Sequence, residues 1–103
     1  MAIAFVFELD DFDKDRYDRF MEASGRSEVT TDLPAGAIAH FAGPTGAGWR
    51  LIDVWEDEAS AVAFYTVARA AFTGGSDMPP ISSKQWPLHR VEMAGPHASS
   101  PRN

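Results

Sequence analysis

The order of apolar and turn-forming segments along the 103 residues predicts an α+β fold, βαββαβ, with one four-stranded antiparallel sheet and two helices on one of its faces. Three observations lead there. Residues 3–9, IAFVFEL, are apolar at nearly every position, as in a strand covered on both sides. Residues 49–55, WRLIDVW, make a second such run, joined to residues 37–43, AIAHFAG, by the Gly/Pro turn GPTGAG. Residues 58–72, EASAVAFYTVARAAF, are rich in alanine and follow the helical period.

In the first strand, Ile3, Phe5, Phe7 and Leu9 share one face, and Ala4, Val6 and Glu8 share the other. The first helix, residues 13–24, carries Tyr17, Phe20 and Met21 at i, i+3 and i+4; Asp11 or Asp13 can cap it and Gly25 can end it. Residues 26–36 read as a polar loop. Residues 37–43 and 49–55 then form a hairpin. Asp57 is placed to cap the second helix, whose buried stripe is expected from Ala61, Phe64 or Tyr65, Ala68 and Phe72. Residues 73–84 read as a long loop, and residues 86–93, WPLHRVEM, as the last strand. Residues 1–94 are thus expected to form one domain, and residues 95–103 a flexible tail. No internal repeat stands out.

This order is the split βαβ, or ferredoxin-like, arrangement, for which the strand order is 4-1-3-2. Its helices cover only one face of the sheet. Strands one and three nevertheless read as apolar on both. The expected cover for the second face is another copy of the chain, giving a homodimer packed through sheet faces.

The formal net charge is −6, and five of the 15 acids fall in residues 10–18, DDFDKDRYD. That balance argues against nucleic acid, where basic patches supply the affinity. Acids at the start of a helix instead complement its dipole. No apolar run approaches the ~20 residues of a membrane span, so no membrane partner is expected. The N-terminal segment lacks a basic start and turns acidic after about eight apolar positions, unlike a signal peptide. With no cysteine, disulfides, thiol catalysis and thiolate-bound zinc are excluded. These features predict a cytoplasmic protein.

Residues 39–64, AHFAGPTGAGWRLIDVWEDEASAVAF, together with WPLHRV near the end, resemble the dimeric α+β barrel proteins, and among them the antibiotic-biosynthesis-monooxygenase-like group. DVWED, at the junction of strand three and helix two, carries most of the match. The resemblance implies two ferredoxin-like chains packed sheet to sheet into a barrel, with helices outside and a pocket between the helices and sheet of each chain. It implies that Trp55, at the end of strand three, lines that pocket. Members of the group oxidise aromatic polyketides without metal or cofactor, cleave haem or break down quinols. The asparagine and histidine set of the haem-cleaving relatives does not map onto this chain. The expectation is a small cofactor-independent monooxygenase acting on an aromatic or polyketide-like molecule; the alternative is a non-catalytic barrel that binds a small apolar ligand.

A carboxylate in the middle of WRLIDVW is expensive to bury without a partner. Asp53 shares a strand face with Trp55, so a pocket on the helix side would have Asp53 at its floor. A carboxylate there is either a general base or a structural acid held by backbone, Tyr65 or an arginine. His40 is the one polar group in AIAHFAG, and its hairpin neighbour is about 5 Å away. His40 and Asp53 are therefore the candidate catalytic pair, able to remove a phenolic proton, provided the register puts both on one face. Trp55, Phe64, Tyr65 and His89 are the candidate substrate-binding residues, though aromatic residues serve a core equally well. His40 and His89 of one chain lie about 14 Å apart in this strand order and cannot share a metal. No cofactor or metal site is expected, and neither a nucleophile elbow nor a phosphate loop is present.

Overall fold

Alternation of large apolar residues builds the sheet around β1 (Ile3–Asp10). The computed structural model describes residues 1–23, 25–26, 32–73 and 81–94. After β1 come α1 (Lys14–Ala23), β2 (Ala37–Pro44), β3 (Gly48–Trp55), α2 (Glu58–Thr73) and β4 (Ile81–Pro87). The strands lie in the order β2-β3-β1-β4, the expected 4-1-3-2 read from the other edge, and every neighbouring pair is antiparallel. The expected tail and parts of both expected loops fall outside the described residues.

α1 is held at both ends, and α2 at its start, by residues the chain supplies. Asp13 caps α1, its Oδ1 accepting from the backbone N–H of Arg16 at 2.9 Å. Gly25, at φ +73°, turns the chain out of α1; the N–H of Arg26 reaches the carbonyl of Met21 at 2.7 Å and that of Gly25 reaches Glu22 at 3.0 Å. Asp57 caps α2 through the N–H of Ser60 at 2.8 Å, and that bond holds its carboxyl below the usual range.

The β2–β3 hairpin fixes which residues face the helices. Gly48 N–H donates to Thr45 Oγ1 at 3.0 Å, and Thr45 N–H donates to the Gly48 carbonyl at 2.9 Å. From that turn the register runs from Pro44↔Trp49 to His40↔Asp53 and Ala39↔Val54. An irregularity between Ala37 and Ala39 then brings Ala37 opposite Trp55. In β1 and β3 the helix side buries Ile3, Phe5, Leu9, Trp49, Asp53 and Trp55. Two clusters form there. Ile3, Phe5, Trp55 and Ala61 make one, and Leu9, Phe12, Tyr17 and Trp49 the other, with Phe7 packed against both. The α2 stripe is as expected at Ala61 and Ala68, and Phe64 and Tyr65 are both half-buried on it; the Phe72 side chain lies outside the described residues.

The last strand differs from the expectation of residues 86–93. It starts at Ile81 and ends at Pro87. Leu88, Val91 and Met93 leave apolar positions beyond Trp86 that suggest a continuing strand, but proline has no N–H to give the ladder and marks the strand end. The true strand is polar because it is an edge: it pairs only with β1, and residues 82–87 are exposed.

Candidate active site

Hairpin register, rather than any local motif, assembles the site. His40 of β2 and Asp53 of β3 are directly paired, and both side chains lie on the helix face. Asp53 is 7% exposed. Its two oxygens are both engaged: Oδ1 with His40 Nδ1, and Oδ2 with the Tyr65 hydroxyl, which donates at 2.6 Å. An ionised carboxylate only accepts, so the proton on the imidazole sits on Nδ1. His40 Nε2 is then an acceptor, and the Tyr17 hydroxyl donates to it at 2.5 Å. On the other side, Trp55 Nε1–H donates to the Tyr65 oxygen at 2.8 Å. One line of hydrogen bonds thus runs Trp55–Tyr65–Asp53–His40–Tyr17, tying α2, β3, β2 and α1 together.

Each donor in that line has one acceptor, so the buried carboxylate is compensated on both oxygens. Burial pushes the Tyr17 phenol up to about 12 and raises the Tyr65 phenol further, with Asp53 adding to both. Both therefore stay protonated at neutral pH and act as donors, not as bases.

Beside this line lies a cavity of about 570 Å³, a size common among small-molecule sites. Phe5, Phe7, Leu9 and Leu51 from the sheet and Phe12, Phe20, Met21 and Phe64 from the helix side make its apolar wall. His40, Asp53 and Tyr65 reach it, with Arg26, Arg69 and Ser83. It draws on both core clusters, which α1 and α2 cover separately. Among the described residues no three His, Cys, Asp or Glu side chains gather to hold a metal ion. No described helix is long and apolar enough to cross a membrane.

Of the residues expected to bind substrate, Phe64 and Tyr65 are on the cavity wall. Trp55 is not. It is 2% exposed and stands behind Tyr65, touching only a small cleft of about 10 Å³ beside the main cavity. A tryptophan on the correct face is here consumed by the core and by its bond to Tyr65. His89 is also absent from the wall: the strand expected to carry it stops at Pro87, and His89 is exposed beyond it. Sequence reasoning missed Tyr17, Arg26 and Arg69. Tyr17 carried a signal, since a buried tyrosine needs a partner for its hydroxyl. Arg26, taken with a polar loop, carried none.

No protein-family model matches the chain, and no curated protein matches it in sequence. Solved structures match it in shape. SnoaB, a cofactor-independent oxygenase from Streptomyces nogalater, is 11% identical over 87% of this chain and 95% of its own, with a TM-score of 0.56. NE2512, a protein of unknown function from Nitrosomonas europaea, is 16% identical over 91% and 95%, with a TM-score of 0.60. A protein of unknown function from Bacteroides thetaiotaomicron, described as a possible oxidoreductase, is 13% identical over 82% and 94%, with a TM-score of 0.50. At such identities the likeness is one of fold: this chain has a ferredoxin-like α+β fold, βαββαβ with a four-stranded antiparallel sheet, in common with those structures.

Proposed function

We propose that this chain is a cofactor-independent oxygenase for an aromatic or polyketide-like molecule, with His40 as the proton acceptor and Asp53 as the group that orients it. The observation that carries this is the His40–Asp53 pair on the wall of an apolar cavity. Asp53 fixes the Nδ1–H tautomer and stabilises the imidazolium that forms when Nε2 takes a proton. The substrate hydroxyl must first take the place of the Tyr17 hydroxyl on Nε2. The resulting phenolate or enolate is electron-rich at carbon. Dioxygen adds there to give a hydroperoxide, and loss of water leaves a new carbonyl. A CH₂ and O₂ become C=O and H₂O, so the reaction needs no other oxidant. The apolar wall would keep bulk water from the anion.

A second reading has its own support. Both Asp53 oxygens and His40 Nε2 are already bonded within the chain, as in a structural network. The chain would then be a barrel that binds an apolar ligand without turnover. Oxygen uptake with anthrone, a three-ring ketone that enolises readily, separates the two. The oxygenase reading expects uptake that depends on protein and is lost in His40→Ala. Binding of anthrone with no uptake above the buffer rate would leave the second reading.

The homodimer belongs to the same proposal. The sheet face away from the helices carries Val6, Ile52 and Val54 in the interior strands, and Phe41 and Trp86 on the outer ones. Phe41 and Trp86 are 55% and 48% exposed in the single chain.

A further inference from the structure

The line of hydrogen bonds is complete at one end and unfinished at the other. Trp49 and Trp55 are six residues apart on β3, so they share the face toward the helices. Each meets a tyrosine: the ring centroids of Trp55 and Tyr65 are 5.6 Å apart, and those of Trp49 and Tyr17 5.3 Å. At Trp55 the indole N–H donates to the phenol oxygen, and that phenol donates onward to Asp53. At Trp49 the phenol donates onward to His40 Nε2, but the indole N–H meets no acceptor of the chain among the described residues. Trp49 is only 8% exposed. A buried donor without an acceptor is rare in folded proteins and costly.

The unfinished pair stands directly behind the cavity. Tyr17 and Trp49 pack with Leu9 and Phe12, which line it, as does His40, whose Nε2 the Tyr17 hydroxyl covers. A ligand that brings a hydroxyl to His40 has to part Tyr17 from Nε2. The freed phenol then has a place to go. Its oxygen can take the Trp49 N–H, and its own hydrogen can turn to the ligand oxygen. With the ligand inserted, the order becomes Trp49–Tyr17–ligand–His40–Asp53, and each donor again has one acceptor. That arrangement repeats what Trp55 and Tyr65 already do for Asp53 at the other end. Burial pushes the Tyr17 phenol up to about 12, so it stays a donor in both positions.

We propose that Tyr17, backed by Trp49, is a second group holding the reacting oxygen of a phenolic or enolic ligand, which enters the line between Tyr17 and His40. This rests on the reading of His40 as the proton acceptor. As the ligand proton passes to Nε2, the ligand O–H bond breaks, an N–H bond forms, and the oxygen keeps the electron pair. The anion then accepts from Nε2–H and from the Tyr17 hydroxyl together. A donor aimed at the atom where charge develops lowers the barrier to forming that charge. Trp49 is a positioning residue that keeps Tyr17 in its second place. An ether of the same shape offers Nε2 no hydrogen and leaves Tyr17 on His40.

The test uses 2-naphthol and 2-methoxynaphthalene, which share a ring system and differ in whether the oxygen carries a hydrogen. In proton–nitrogen NMR spectra, the Trp49 indole resonance is assigned by its loss in Trp49→Phe. It should move downfield with 2-naphthol, the sign of a new hydrogen bond, and stay in place with 2-methoxynaphthalene. Calorimetry should show 2-naphthol to be the tighter ligand by about tenfold, the scale of one net hydrogen bond. In Tyr17→Phe, 2-naphthol should leave the resonance unmoved, and anthrone uptake should fall by roughly 10²–10³, the cost of losing one oxyanion donor. A Trp49 resonance that ignores 2-naphthol, or that moves equally with both probes, would overturn the inference. So would uptake in Tyr17→Phe equal to that of the wild type. Uptake by the wild type with an unmoved Trp49 resonance would sink only the insertion and leave the oxygenase standing. A resonance that moves as expected, without uptake, would support the insertion and remove the oxygenase. Binding of neither probe would overturn the insertion and the cavity reading together. Should Tyr17→Phe fail to fold, the two probes on the wild type decide alone.

Discussion

Both tyrosines of the chain donate into the His40–Asp53 pair, one at each end. That coincidence makes the line testable residue by residue. Asp53→Asn preserves shape but removes the charge that fixes the His40 tautomer. Anthrone turnover should fall by roughly 10²–10⁴, the usual scale for acid–base catalysis. The melting temperature measured on the same variant separates the roles: a large drop in melting with unchanged specific activity of the folded fraction would make Asp53 structural. Alkaline pH tests the phenols. Tyr17 titrates at about 12 when folded, against 10.0 unperturbed. Between those values the unfolded chain releases a proton that the folded chain keeps. The stability this represents is full below pH 10 and is lost as pH rises toward 12. Melting temperature should therefore fall across that window, and less steeply in Tyr17→Phe. Phenolate absorbance rising near pH 10 in the folded chain would contradict the burial of both rings. The pairing of His40 with Asp53 was legible as a hairpin proximity. Its face was not, because the side-chain period of two makes the outcome hang on a single-residue shift in register.

At the scale of elements, the sequence spoke clearly where one residue type had a single physical task. Asp13, Gly25 and Asp57 cap helices as read, and the turn after Pro44 closes the hairpin. It misled at β4, where an edge strand needs no apolar face and the apolar Leu88, Val91 and Met93 drew the expected strand past its end at Pro87. The same hairpin that sets the site gives a sharp prediction. A Cβ built on Gly48 would lie 2.0 Å from the Leu9 carbonyl oxygen and 3.0 Å from its carbon. Those are backbone atoms of β1 and cannot swing away. Gly48→Ala should force β3 off β1 at this end, costing about 1–3 kcal/mol by the usual scale of overpacking. Since the Gly48 N–H also donates to the Thr45 hydroxyl oxygen, the shift would carry into the β2–β3 register. The expected readout is a lower denaturation midpoint with faster amide exchange along β3 than along β1 beside β4; an unchanged midpoint would show that the strands can part there freely.

For the whole molecule, the open face of the sheet decides assembly. Across it run two apolar rows, Phe41–Ile52–Val6 and Val54–Ala4–Trp86, with the Arg50–Glu8 ion pair beside them. Val6 stands between Ile52 and Lys84. A single chain leaves this face to water, and a contiguous apolar patch of that kind is what a self-complementary interface buries. The prediction is a homodimer at micromolar concentration by light scattering. Val6→Lys tests the centre: in a two-fold pairing it sets new charges into the buried face beside Lys84, and the variant should sediment as a monomer. Trp86→Ala tests the rim and separates assembly from folding. Because Trp86 is 48% exposed in the single chain, its loss removes little from the monomer core, whereas buried tryptophans are among the costliest interface residues to truncate. The expected result is a weaker dimer whose chains still show their near-ultraviolet circular dichroism. A wild-type chain that stays monomeric at every accessible concentration would show that this face meets something other than its own copy.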